Sequence, residues 1–120
     1  MTVKNALAGI AVRNLEKSVV WYQQLLGRQP DTRPMDQLAE WRFEVGGWIQ
    51  VFEDKGRAGS SSVTLVDTNV AERIADLKAK GITIESEIDA EPIKLAIIAD
   101  PDGNRIVFAE GKGERHRAVA

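Results

Sequence analysis

Cysteine is absent from this 120-residue chain, and histidine occurs once. Disulfides and thiolate chemistry are thereby excluded. The single histidine, His116, stands in a polar tail, where an exposed side chain without a role is the expectation. No apolar run approaches the ~20 residues needed to cross a bilayer, and the N-terminus lacks the charged-then-apolar order of a signal peptide. Charge of one sign is also missing: the net value is −2, and the one basic cluster is the tail from Lys112 to Arg117. A nucleic-acid-binding protein needs a basic stripe along an ordered surface, which this chain does not have. A soluble cytoplasmic protein with no nucleic-acid and no membrane partner is the expectation.

What the chain does contain is one pattern written twice. An apolar strand ending at Val12 runs into an amphipathic helix that stops at Gly27, and 54 residues later a strand ending at Val66 runs into a helix that stops at Gly81. Few identities survive between the copies, but strand end, turn, apolar stripe and terminal glycine recur at one offset. Two copies of a strand-helix-strands unit imply a pseudo-symmetric fold, whose ligand site is expected between the copies. Modules of about 55 residues would each be marginal alone, so they are expected to share a core or pair with a second chain.

Local signals divide the chain further. Leu7 to Val12 reads as a buried strand, Asn14 as a helix N-cap, and Leu15, Val19, Tyr22 and Leu26 as a helical stripe closed by Gly27 in the left-handed C-cap position. Residues 28–36, with Pro30 and Pro34, read as irregular or at best an edge strand. Two alternating runs, 40–45 and 48–53, flank Gly46-Gly47, which predicts a two-residue hairpin turn. The second copy reads as a strand from Ser62 to Val66, a helix over 69–80, strands over 82–88 and 95–99, a turn at 100–104 and a closing strand over 105–110. The order is β-α-β-β-β twice: an α+β chain with a first module over 1–56, a second over 57–111, and a flexible tail at 112–120.

Three passages of this order resemble the vicinal oxygen chelate superfamily, which includes glyoxalase I, the bleomycin-resistance proteins and the extradiol dioxygenases. They are Ile-Ala-Val-Arg-Asn-Leu-Glu-Lys-Ser at 10–18 leading to Trp21-Tyr22 and Leu26-Gly27, the run from Glu44 to Glu53, and Asp-Pro-Asp-Gly-Asn-Arg-Ile at 100–106. The resemblance implies two βαβββ modules forming a cupped mixed sheet, often completed as a homodimer. It also implies a divalent metal held at four strand positions. By counting, those positions carry Leu7, Gln50, Ser61 and Val107. Two hydrocarbons, an amide and a hydroxyl do not make a metal site, since neutral oxygens bind hard cations only beside carboxylates. No metal and no other cofactor is expected.

A two-residue turn pairs Val45 with Trp48, Phe43 with Gln50 and Trp41 with Phe52, and opposed residues share a face. The resemblance implies that Gln50, at one of its ligand positions, points into the cup, so Trp41, Phe43, Val45, Trp48 and Phe52 are expected there with it over a floor of Leu7, Ser61 and Val107, and Glu40, Arg42 and Glu44 form a solvated row behind. The expected function is metal-independent binding of an aromatic or apolar small molecule, of the bleomycin-resistance type. The alternative is a diverged glyoxalase- or dioxygenase-like enzyme with non-standard site residues, whose chemistry needs no ion or whose ligands come from unexpected positions such as Glu53 or Glu110. The residues leave open whether any reaction is catalysed.

Overall fold

The computed structural model describes residues 2–111. The tail at 112–120, with its basic cluster, its expected flexibility and His116, lies outside the described residues. The elements are β1 (Leu7–Val12), α1 (Leu15–Leu26), β2 (Thr32–Met35), β3 (Leu38–Arg42), β4 (Trp48–Glu53), β5 (Ser62–Asp67), α2 (Val70–Ala79), β6 (Ser86–Ala90), β7 (Ile93–Ala99) and β8 (Arg105–Glu110). They form two four-stranded mixed sheets of identical order, β1-β4-β3-β2 and β5-β8-β7-β6, each with its first and last strands parallel. The fold is α+β, as the repeated pattern predicts.

The first unit runs to Ser61 and includes Pro101–Asn104. Helix α1 starts where the Asn14 side chain accepts from Lys17 N at 3.0 Å, and it stops at Gly27, whose φ of 76° suits a residue without Cβ. Leu15, Val19, Tyr22 and Leu25 are its buried apolar residues, while Val20 is exposed. They belong to one core with Ile10 and Val12 of β1, Ala39 and Trp41 of β3, and Ile49 and Val51 of β4. Each fully buried large side chain contributes about 1.5–3 kcal/mol. The second unit, Ser62–Asp100 and onward from Arg105, repeats this with less buried helix: Val70 and Leu77 from α2, and Val63, Ala96, Ile98, Ile106 and Phe108 from the sheet.

Two expectations are corrected here. The repeat offset along the first strands is 55, since Asn69 caps α2 as Asn14 caps α1, and Asp67 pairs Glu110 as Val12 pairs Glu53. The offset of 54 holds for Gly27 and Gly81, after the shorter α2, but not for the strand ends, where Asp67 and not Val66 corresponds to Val12. Ser62, and not Ser61, is therefore the counterpart of Leu7. The hairpin also differs. Arg42 pairs Trp48, Trp41 pairs Ile49 and Glu40 pairs Gln50, with Phe43 N donating to Gly47 O and Gly46 N to Phe43 O. Of the two glycines only Gly46 has positive φ, at 113°, so the type I′ turn that needs two such residues does not form. The pairing slips by an odd number of residues, and the whole strand turns its other face.

Candidate functional site

The corrected register defines the face of the first sheet that α1 does not cover. It carries Leu7 and Gly9 from β1, Trp48, Gln50 and Phe52 from β4, and Leu38, Glu40 and Arg42 from β3. Trp48, Gln50 and Phe52 stand at every second residue of β4 and are half-buried, while the intervening Ile49 and Val51 are in the core. The Phe52 ring lies over β1, where a Cβ on Gly9 would come within 3.2 Å of it; glycine leaves the ring room to lie flat. Arginines attend both rings: the Arg42 guanidinium is 4.1 Å from the Trp48 centroid, and that of Arg57 is 5.7 Å from the Phe52 centroid.

Between the rings, Gln50 Nε2 donates to Glu40 Oε2 at 2.6 Å, and Thr32 Oγ1 donates to Glu40 Oε1 at 2.9 Å. Glu40 is only 6 % exposed. It was expected in a solvated row on the other side; the register places it beside Gln50 and buries it. Sequence reasoning missed this carboxylate because its two partners come from neighbouring strands and not from local sequence.

Three expected site residues lie elsewhere. Trp41 is fully buried against the helix, its ring 6.1 Å from that of Tyr22 and its Nε1 donating to Arg28 O at 3.0 Å. Phe43 has left the strand for the loop, where the Arg28 guanidinium sits 6.0 Å from its centroid. Ser61 faces the free edge of β1: Ala11 N donates to its Oγ at 3.0 Å, and its own N donates to Asn104 Oδ1 at 2.8 Å. Asn104 Nδ2 closes the motif on Ala11 O at 2.8 Å. Unsatisfied strand-edge groups are costly when buried, and the 101–104 turn supplies their partners. Gly59 admits this turn, since a Cβ there would stand 2.5 Å from the Asp102 carbonyl oxygen.

Glu53 and Glu110 are also committed. Leu15 N donates to Glu53 Oε1 and Val70 N to Glu110 Oε1, each at 3.0 Å. In both modules the carboxylate that ends the last strand meets the free amides and positive dipole end of the helix. Val107 stays on the helix-free face of the second sheet, paired with Thr64 and Ile97. Asp31 is held below the ordinary carboxylate value by the Arg42 backbone amide and then by Arg28, and Glu16 likewise by Arg33, to which it bonds at 2.6 Å. A cleft of about 350 Å³ lined by Asp67, Asn69, Glu72, Arg73 and Asp76 lies at the start of α2, where Arg73 bonds Asp67 at 2.7 Å.

Residues 5–108 match the sequence profile of the Glyoxalase/Bleomycin resistance protein/Dioxygenase superfamily. The chain belongs to this superfamily. No curated protein matches it significantly in sequence. Among solved structures, a glyoxalase/bleomycin resistance protein from Catenulispora acidiphila is 27 % identical with a TM-score of 0.82, over 92 % of this chain and 100 % of that one. A bleomycin-binding protein complexed with bleomycin is 19 % identical with a TM-score of 0.75, over 92 % and 100 %. An antibiotic-binding protein from a Streptomyces species is 17 % identical with a TM-score of 0.75, over 92 % and 98 %. At those last two identities the likeness is one of fold.

The divalent ion expected of glyoxalase-type enzymes can be tested against the residues present. Leu7 and Val107 offer no donor atom, Gln50 and Ser62, the counterpart of Leu7, offer only a neutral amide oxygen and a neutral hydroxyl, and the Ser61 hydroxyl is turned to the β1 edge. Among the described residues no group of three or more His, Cys, Asp or Glu could hold a metal ion. The donor set does not fit. Among the described residues, too, no helix is long and apolar enough to cross a membrane.

Proposed function

We propose that this protein is a metal-independent small-molecule-binding member of the glyoxalase/bleomycin-resistance superfamily, taking an aromatic or apolar ligand on the helix-free face of β1-β4-β3-β2. The observation that carries the reading is the alternation of Trp48, Gln50 and Phe52, half-buried beside Leu7, with Gln50 bonded to the buried Glu40. Half-covered rings with few placed polar groups are the usual furnishing of a ligand site. Solved relatives of the same fold that bind bleomycin or another antibiotic support it. The donor-poor residues at Leu7, Gln50 and Val107 support metal independence.

A homodimer belongs to the same reading. The helix-free face of the second sheet leaves Val66, Ile88 and Ile93 exposed, and a second copy is the natural cover for such a surface. Light scattering after gel filtration should give twice the mass of one chain.

Two titrations test the binding reading. Screening planar aromatic compounds should quench the fluorescence of Trp48, with a Trp48→Phe variant separating its signal from those of Trp21 and buried Trp41. Micromolar zinc, nickel, manganese or iron should leave the melting temperature unchanged, because a ligand stabilises only the state that binds it. Melting raised by one of these ions, with no compound quenching Trp48, would point to a metal-dependent protein instead.

A further inference from the structure

Glu40 is a buried carboxylate with no cation paired to it among the described residues. Its oxygens accept from Thr32 Oγ1 and Gln50 Nε2, and among the described residues it joins no ion pair. A carboxylate only accepts, so it decides which way the neighbouring amide lies. The nitrogen end of Gln50 must face Glu40, and the carbonyl oxygen must point away. Gln50 makes no other side-chain hydrogen bond among the described residues, so its oxygen is an acceptor awaiting a donor. It stands between Trp48 and Phe52 on β4, with both rings on its own face.

We propose that Glu40 is a positioning residue that holds the Gln50 amide with its carbonyl oxygen outward, so that the ligand of this face is a flat ring system bearing an N–H donor. The inference rests on the small-molecule-binding reading above and adds the ligand's chemistry to it. Rings alone would accept any planar compound. The oriented amide discriminates: a ligand that sets an oxygen where the N–H belongs meets Gln50 acceptor to acceptor and loses the hydrogen bond.

Acridone and xanthone test this directly, since both are planar tricyclic ketones that differ only in a ring N–H replaced by oxygen. Binding is read from Trp48 quenching and from the Gln50 side-chain amide signal in a ¹H–¹⁵N spectrum. The native protein should prefer acridone by roughly five- to tenfold, the worth of one hydrogen bond. Gln50→Leu should bind both equally. Glu40→Gln keeps the size of the side chain but can donate as well as accept, so Gln50 is free to turn and the preference should fall towards one. In the unliganded protein the two Gln50 amide protons should be widely separated, one held by the carboxylate, and Glu40→Gln should bring them together. A merely structural Glu40 would leave both the preference and that splitting intact. Equal binding of the two probes by the native protein would overturn the donor inference and leave the binding reading standing. Binding of neither would overturn both.

Discussion

The two modules share a skeleton and differ in the face that skeleton presents. Both have an asparagine N-cap, a left-handed glycine after the helix, and a strand-end glutamate accepting from the first helical amide. On the helix-free side the first sheet carries Glu40, Gln50, Trp48 and Phe52, whereas the second carries Thr64, Leu95, Ile97, Val107 and Ala109 at the corresponding height. Caps and terminal carboxylates satisfy backbone groups and tolerate little change. The helix-free faces are where the copies differ, Glu40 and Gln50 of the first sheet standing against Ile97 and Val107 of the second.

Substitutions can break or sharpen that contrast. The largest effects should fall on the helix side, and equally in both copies. Trp41→Ala and Phe108→Ala should each cost about 3–5 kcal/mol in urea unfolding, the range for emptying an aromatic core position; a trivial loss in either would mean that the two cores are not counterparts. Asn104→Ala should cost roughly 1–3 kcal/mol, because it strips partners from Ala11 O and Ser61 N at once. Glu53→Ala and Glu110→Ala should each lose about 1 kcal/mol, and a difference larger than that between them would break the shared skeleton. Trp48→Ala should change stability by less than about 1 kcal/mol, yet abolish ligand binding as followed by calorimetry, whereas Val107→Ala should do neither. The smallest effect concerns acid. Asp31 has a lowered folded-state value, so its stabilisation is present above the ordinary value of 3.8 and is lost as pH falls further, through the folded value. Asp31→Asn should therefore flatten the fall of melting temperature below about pH 4.

Much of the frame is legible in the sequence because its determinants are local. Leu7–Val12 and Arg105–Glu110 emerge with the expected bounds, and α1 lies between its expected cap and glycine. The candidate site was half legible for a physical reason. Trp48, Gln50 and Phe52 share a face whatever the turn does, since alternation belongs to the strand itself. Trp41 and Phe43 depended on pairing across the loop, which one glycine at positive φ rather than two was enough to change. Glu40 looked solvated because charge alternates with Trp41 along β3, but Thr32 and Gln50 make its burial tolerable, and neither is adjacent to it in sequence. Asn104 looked like ordinary turn chemistry and is instead a buried bracket for β1.

That bracket bears on how the chain is made. Its two contacts join residue 104 to residues 11 and 61, so the Ala11 carbonyl and the Ser61 amide gain their partner only when most of the polypeptide has left the ribosome. A gene cut at the apparent midpoint would encode a half in which those two backbone groups have lost their partner.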